Sequence, residues 1–155
     1  MKGRRRAAAL LAALACASPA RAASCTVDNP TLAFGSYSVL SASPLDTTTT
    51  TTVTCTSVLS LFVSFTVQLS PGSSGNQLSR YMTSGTPHLS YNVYTDATRT
   101  TVWGNGSGGT GTFSGGFLAV LLGAFQTFVI YGRIPAQQAA PVGVYSDTLV
   151  ITVNY

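Results

Sequence analysis

Glutamate is absent from this 155-residue chain, and charge of either sign is scarce: eight Lys plus Arg stand against four Asp. Histidine and tryptophan occur once each, as His88 and Trp103. Beyond the first 22 residues no segment shows the apolar period of an amphipathic helix. Each lack narrows function. A metal centre needs three or four clustered ligands, and one His with four scattered Asp does not supply them. A Ser-His-Asp triad survives simple counting, but no nucleophile-elbow motif is present. His88 follows Pro87 at the start of a strand and reads as a surface histidine. No enzyme and no cofactor is expected.

Long apolar runs are missing too. Ala7–Ala17 is too short to cross a bilayer, so no membrane anchor is expected. The formal charge of +4 is misleading. Lys2, Arg4, Arg5, Arg6 and Arg21 lie in the first 22 residues; Arg80, Arg99 and Arg133 then face Asp28, Asp46, Asp96 and Asp147, three minus four, or about −1. A nucleic-acid partner or a polybasic membrane contact therefore loses its support. The basic start reads instead as a secretion signal: a charged Lys2–Arg6, the apolar Ala7–Ala17, and the cleavage pattern Ala20-Arg21-Ala22. Residues 1–22 are expected to be a signal peptide and 23–155 a single secreted domain. The rival is a lipoprotein signal ending at Cys16, whose Ala13-Leu14-Ala15 lead is a poor lipobox. Cys25 and Cys55 remain; an even pair in an oxidising compartment reads as a disulfide, with two buried free thiols as the alternative.

What is present is β-structure. Cys25–Leu32 and Phe34–Tyr37 read as a first strand broken at Gly35. Thr48–Ser57, Phe62–Ser70, His88–Tyr94, a short strand ending near Trp103, Phe117–Leu122 and Phe125–Ile134 follow. Pro71–Asn76 is a turn, and Gly104–Gly116 reads as a Gly-rich loop or hairpin. From Tyr145 to Tyr155 the residues alternate, with Leu149, Ile151, Val153 and Tyr155 forming an apolar phase. No turn and no further strand follows, so this strand must pair with earlier ones or with another molecule. About seven or eight strands in this length suit an immunoglobulin-like sandwich.

Other features have plain readings beside sharper ones. Gly104-Asn105-Gly106-Ser107-Gly108-Gly109 matches the dinucleotide fingerprint in letters, but no helical pattern follows to hold a pyrophosphate. Asn105-Gly106-Ser107 is a glycosylation sequon, with meaning only in a eukaryotic secretory route. Six threonines, Thr47–Thr52, read as a β-branched lead into Cys55. Gly116–Phe125, with Phe117, Leu118, Leu121 and Leu122, reads as a strand buried on both faces or as an exposed stretch that contacts surfaces.

Several motifs in order resemble spore coat protein U domains. They are Cys25-Thr26-Val27, Leu32-Ala33-Phe34-Gly35-Ser36-Tyr37, Val53-Thr54-Cys55, Arg80-Tyr81-Met82, Leu89-Ser90-Tyr91-Asn92-Val93-Tyr94, Trp103-Gly104-Asn105-Gly106, Tyr131-Gly132-Arg133-Ile134-Pro135-Ala136-Gln137 and Gly143-Val144-Tyr145-Ser146-Asp147-Thr148. That family includes subunits of archaic chaperone–usher pili and a secreted spore-coat protein. The resemblance implies an all-β, incomplete immunoglobulin-like sandwich of pilin type that lacks its last strand. It implies partners: a periplasmic chaperone that lends a strand, an outer-membrane usher, and neighbouring pilus or coat subunits whose extension replaces the loan. It places the disulfide at Cys25 and Cys55, and the donor-strand groove along Leu149, Ile151, Val153 and Tyr155. Only Ala23 and Ser24 would precede Cys25 after the expected cleavage, which suits a tip or cap position that receives a strand and gives none. The alternative is a self-sufficient secreted carbohydrate- or surface-binding sandwich, using the Gly-rich loop or the aromatics Trp103 and Tyr94.

Overall fold

Alternation along the chain decides the architecture. The computed structural model describes residues 23–57, 61–119 and 123–155. The expected signal peptide, Cys16, Leu121 and Leu122 lie outside them. Among these described residues nine strands form: β1 Ser24–Val27, β2 Leu45–Thr56, β3 Leu61–Leu69, β4 Tyr81–Thr83, β5 His88–Ser90, β6 Asn92–Tyr94, β7 Phe113–Ala119, β8 Ala124–Ile134 and β9 Ile151–Asn154. Among the described residues the only helical turn is a 3₁₀ turn at Gly72–Ser74.

One sheet has the order β1-β2-β8-β6 and a second the order β7-β3-β9, with β4-β5 as a separate ribbon. All pairings are antiparallel. β2 and β8 form the long spine, in register from Leu45↔Ile134 to Cys55↔Ala124. Thr47–Thr52 sit inside β2, where inward Thr51 donates to Asp28 Oδ1 at 2.7 Å and Thr47 donates to the Ala33 carbonyl at 2.9 Å. The threonine run is thus a strand whose inward hydroxyls tie down the chain that follows β1.

The core lies between the two sheets. Val53 and Cys55 of β2, Phe65 and Val67 of β3, Phe113 of β7 and Ile130 of β8 are buried. Phe113 stacks on Phe128, centroids 4.8 Å apart, and joins the sheets. Trp103 lies fully inside; its indole N–H donates to the Val67 carbonyl at 2.9 Å, and its ring meets Phe113 edge-on at 4.8 Å.

Cys25 and Cys55 face each other in the β1–β2 register and form a disulfide across 30 residues of sequence. Closing a loop of that length stabilises by about 3–4 kcal/mol in the chain-entropy model. Urea denaturation with and without reductant should therefore show a loss of about that size on reduction.

Some strand expectations need correction. His88–Tyr94 is not one strand: β5 pairs with β4 and β6 with β8, because the Tyr91 N–H between them donates to the Arg80 carbonyl at 3.0 Å. The Gly-rich segment is a loop only to Thr112. β7 begins at Phe113, and Gly115 and Gly116 are strand residues because the Gln126 amide and the Phe62 ring occupy the space a side chain would need. The first strand ends at Val27, and 28–37 continues without a strand ladder.

Candidate functional site

The half-buried side chains, rather than the buried ones, mark the site. Tyr145, Asp147, Leu149, Ile151 and Val153 are half-buried while their even-numbered neighbours are exposed. Opposite them, Leu32 and Phe34 are half-buried between exposed Thr31, Ala33 and Gly35. Both segments turn one face to the core and leave it incompletely covered. β9 ends its sheet, so no strand of the described residues lies beyond it. No backbone hydrogen bond joins 29–37 to 145–155 among the described residues.

Between the two walls runs a groove. One cavity of about 430 Å³ is floored by Leu69, Met82, Tyr91, Val93, Trp103 and Ile130. A second of about 730 Å³ adjoins it and shares Leu32, Phe34, Met82 and Tyr145. Leu40, Val142 and Val144 stand exposed on its lips. Neither lip carries charge, from Asn29 to Leu45 or from Ile134 to Ser146. Apolar surface in this quantity, beside an unpaired strand edge, calls for a partner.

The direction of the free backbone groups follows from the paired ones. Ser146 N–H donates to the Thr83 carbonyl at 3.1 Å, and Val150 N–H donates to Ser70 Oγ at 2.8 Å. Strand alternation then points the N–H groups of Leu149, Ile151 and Val153 the other way, off the free edge of the sheet.

Polar chemistry enters the groove wall at one place. Asp147 Oδ1 accepts from Ser73 N–H at 3.0 Å, Ser73 Oγ at 2.7 Å and Thr148 N–H at 2.9 Å. Its Oδ2 accepts from the Tyr91 hydroxyl at 2.8 Å. Burial, and then this bond, push the Tyr91 phenol well above its ordinary pKa. Arg80, almost wholly buried, lies beneath: Nε and Nη2 donate to the Ser70 carbonyl at 3.1 and 2.7 Å, and Nη1 donates to Asn92 Oδ1 at 2.8 Å. Burial draws its pKa down from the usual arginine value, and the fields of Tyr91 and Asp147 oppose that.

Of the expected groove residues, Leu149 and Ile151 line the cavity and Val153 packs on the core beside it. Tyr155 is 58% exposed and lines neither cavity. The opposite wall, Leu32 and Phe34, was not singled out from the sequence as groove; its alternating Leu-x-Phe before Gly35 was the available signal. The apolar 116–125 stretch is split by alternation. Phe117 turns inward against Phe65 at 5.5 Å, whereas Leu118, its cross-strand partner Phe62, and Phe125 are exposed. Among the described residues of this stretch, a strand buried on both faces is therefore not what forms. Gly123, at φ +79°, turns the chain into β8. Trp103 is inaccessible and Tyr94 lies beside Tyr131 in the β6–β8 register, so the two aromatics make no shared platform. His88 stacks on Tyr81 at 4.0 Å, and no hydrogen bond joins it to a serine or aspartate among the described residues.

The family model of the Spore Coat Protein U domain matches residues 11–152. The chain belongs to that family. The chain is also similar to Protein U of Myxococcus xanthus, 40% identical over 70 residues, which cover 45% of this chain and 36% of that protein. Among solved structures, the chain is similar to one in the complex of CsuC and CsuE, a chaperone–tip adhesion subunit pre-assembly complex from archaic chaperone–usher Csu pili of Acinetobacter baumannii. The TM-score is 0.57 at 23% identity, over 86% of this chain and 40% of that one. This likeness shows the fold, a pilin-type sandwich. The chain thus spans less than half the length of either protein. No helix among the described residues is long and apolar enough to cross a membrane.

Proposed function

We infer that this Spore Coat Protein U domain is a secreted structural subunit of a surface fibre or coat, built by strand complementation. One observation carries the reading: two segments, 30–37 and 145–155, face each other across a largely apolar groove, with no strand of the described residues between them. The occupant that fits is an extended segment with apolar side chains at alternate positions. Its backbone meets the N–H groups of Leu149, Ile151 and Val153, and its side chains enter the floor around Met82, Val93 and Ile130. A periplasmic chaperone would supply that strand first, and a neighbouring subunit, delivered through an outer-membrane usher, would replace it. The family membership and the fold shared with a chaperone-bound pilus subunit support this assignment.

The exposed Phe62, Leu118 and Phe125 support the further reading of this end as a contact surface of the assembled subunit. The self-sufficient sugar-binding alternative is weakened by the burial of Trp103.

Periplasmic expression with and without a cognate pilus chaperone tests the assignment. The expected result is a stable 1:1 complex with the chaperone and, without it, a lower yield of a monomer that proteases cut more readily than the complex. A chain made alone in equal yield and as protease-resistant as the complex would contradict it.

A further inference from the structure

The accepting edge is supported unevenly. β9 is laddered to β3 only over 151–154. Farther back, Ser146 pairs with Thr83 through two backbone bonds of 3.1 and 2.9 Å, and Val150 pairs with Ser70 through bonds of 2.9 and 2.8 Å. Between these two anchors, residues 147–149 have no strand beside them among the described residues. An extended segment with an empty groove on one side and a gap on the other should open locally.

Side chains close that gap. The Asp147 carboxylate takes both the N–H and the hydroxyl of Ser73 and, on its other oxygen, the Tyr91 hydroxyl. The 3₁₀ turn that carries Ser73 is shaped to receive it. Gly72 has φ +67°, and a side chain there would run into the Asp147 carboxylate and Leu149. Behind the turn, the buried Arg80 guanidinium grips the Ser70 carbonyl with two N–H groups and reaches Asn92 of β6 with a third. The residue that pairs with Val150 is thereby pinned to the opposite sheet.

We propose that Asp147, Ser73 and Tyr91, backed by Arg80 on Ser70, are positioning residues that hold 146–150 extended and ready for an incoming strand. The proposal rests on the groove reading and deepens it. Its consequence is an asymmetry. Once a strand fills the groove, the edge gains a ladder on its open side and the cluster becomes nearly redundant. Loss of the cluster then slows capture, leaves release unchanged, and lowers the melting temperature of the empty form more than that of the filled form. A cluster that only stabilised the fold would leave the capture rate unchanged and lower both melting temperatures alike.

Trp103 floors the groove, so its fluorescence can report filling. The probe is a synthetic 13-residue peptide with Val at alternate positions and Thr, Ser and one Lys between, mixed with the full chain by stopped flow. Asp147→Ala is expected to lower the association rate by about tenfold and Ser73→Ala by about threefold, with dissociation within about twofold of wild type. Failure of the wild type to take up the peptide would overturn the groove reading itself. Uptake by wild type and both variants at equal rates would overturn only the positioning role. If Asp147→Ala folds solely when a strand is appended after Tyr155, that is the expected asymmetry in its extreme form. Ser73→Ala, which leaves the Tyr91–Asp147 bond in place, decides the rates in that case.

Discussion

Trp103→Ala is expected to leave the domain unfolded at 37 °C, measured as loss of the far-ultraviolet β signal and of a cooperative thermal transition. Three effects act together. The indole is about 1% exposed and touches both sheets, so its removal opens a cavity that costs about 3–5 kcal/mol. The Val67 carbonyl loses the donor held at 2.9 Å, a further ~1 kcal/mol or more for a buried acceptor. The edge-on contact with Phe113 goes as well. Domains of this size hold about 5–15 kcal/mol in all, and one with an uncovered groove lies toward the lower end. The same substitution separates core from ligand contact. A folded Trp103→Ala protein that had lost only sugar binding would restore the self-sufficient alternative.

A strand appended to the chain is expected to raise the melting temperature by roughly 10–20 °C, which corresponds to a net gain of about 3–5 kcal/mol. The gain comes from groups already in place. Leu32, Phe34, Leu149, Ile151 and Val153 are half-buried and would become covered. Each contributes about 1 kcal/mol on full burial, and the free N–H groups gain partners worth about as much. Part of that total is offset by ordering the added strand. A matched strand with Asp at the alternate inward positions should give no gain. The groove lining offers no cation to receive a carboxylate, and Asp147 in its wall would repel one.

How far the sequence told this in advance varied from element to element, for physical reasons. Thr48–Ser57, Phe62–Ser70 and Phe125–Ile134 closely match β2, β3 and β8, since each keeps one apolar or β-branched phase through a buried face. The apolar phase of 149–153 was legible for the same reason. The split between β5 and β6 was not, because alternation runs unbroken through Tyr91 while the backbone changes partners there. β4 has three residues, too few to carry a period. Gly115 and Gly116 hid the start of β7, because glycine removes the side chains that periodicity is read from. Arg80, Ser73, Tyr91 and Asp147 are far apart in sequence, and only the crossing of the 70–92 region behind the 145–150 edge brings them together. Three of them, Arg80, Tyr91 and Asp147, lie in family motifs to which the sequence attaches no role. Tyr155, in phase with the groove residues, proved exposed because it lies beyond the last β9 pair, Asn154 with Thr66.

The most direct test of an open accepting edge is hydrogen exchange at single amides of 145–155, with the chain alone and with a strand appended after Tyr155. Ser146 and Val150 give their N–H groups to the β4 and β3 side, so the amides of Leu149, Ile151 and Val153 are the reporters. In the chain alone these three should exchange ~100-fold or more faster than those of Val150 and Thr152, and the appended strand should slow them to match. Slow exchange at all three in the chain alone, or no slowing when the strand is added, would contradict a groove that waits for a strand.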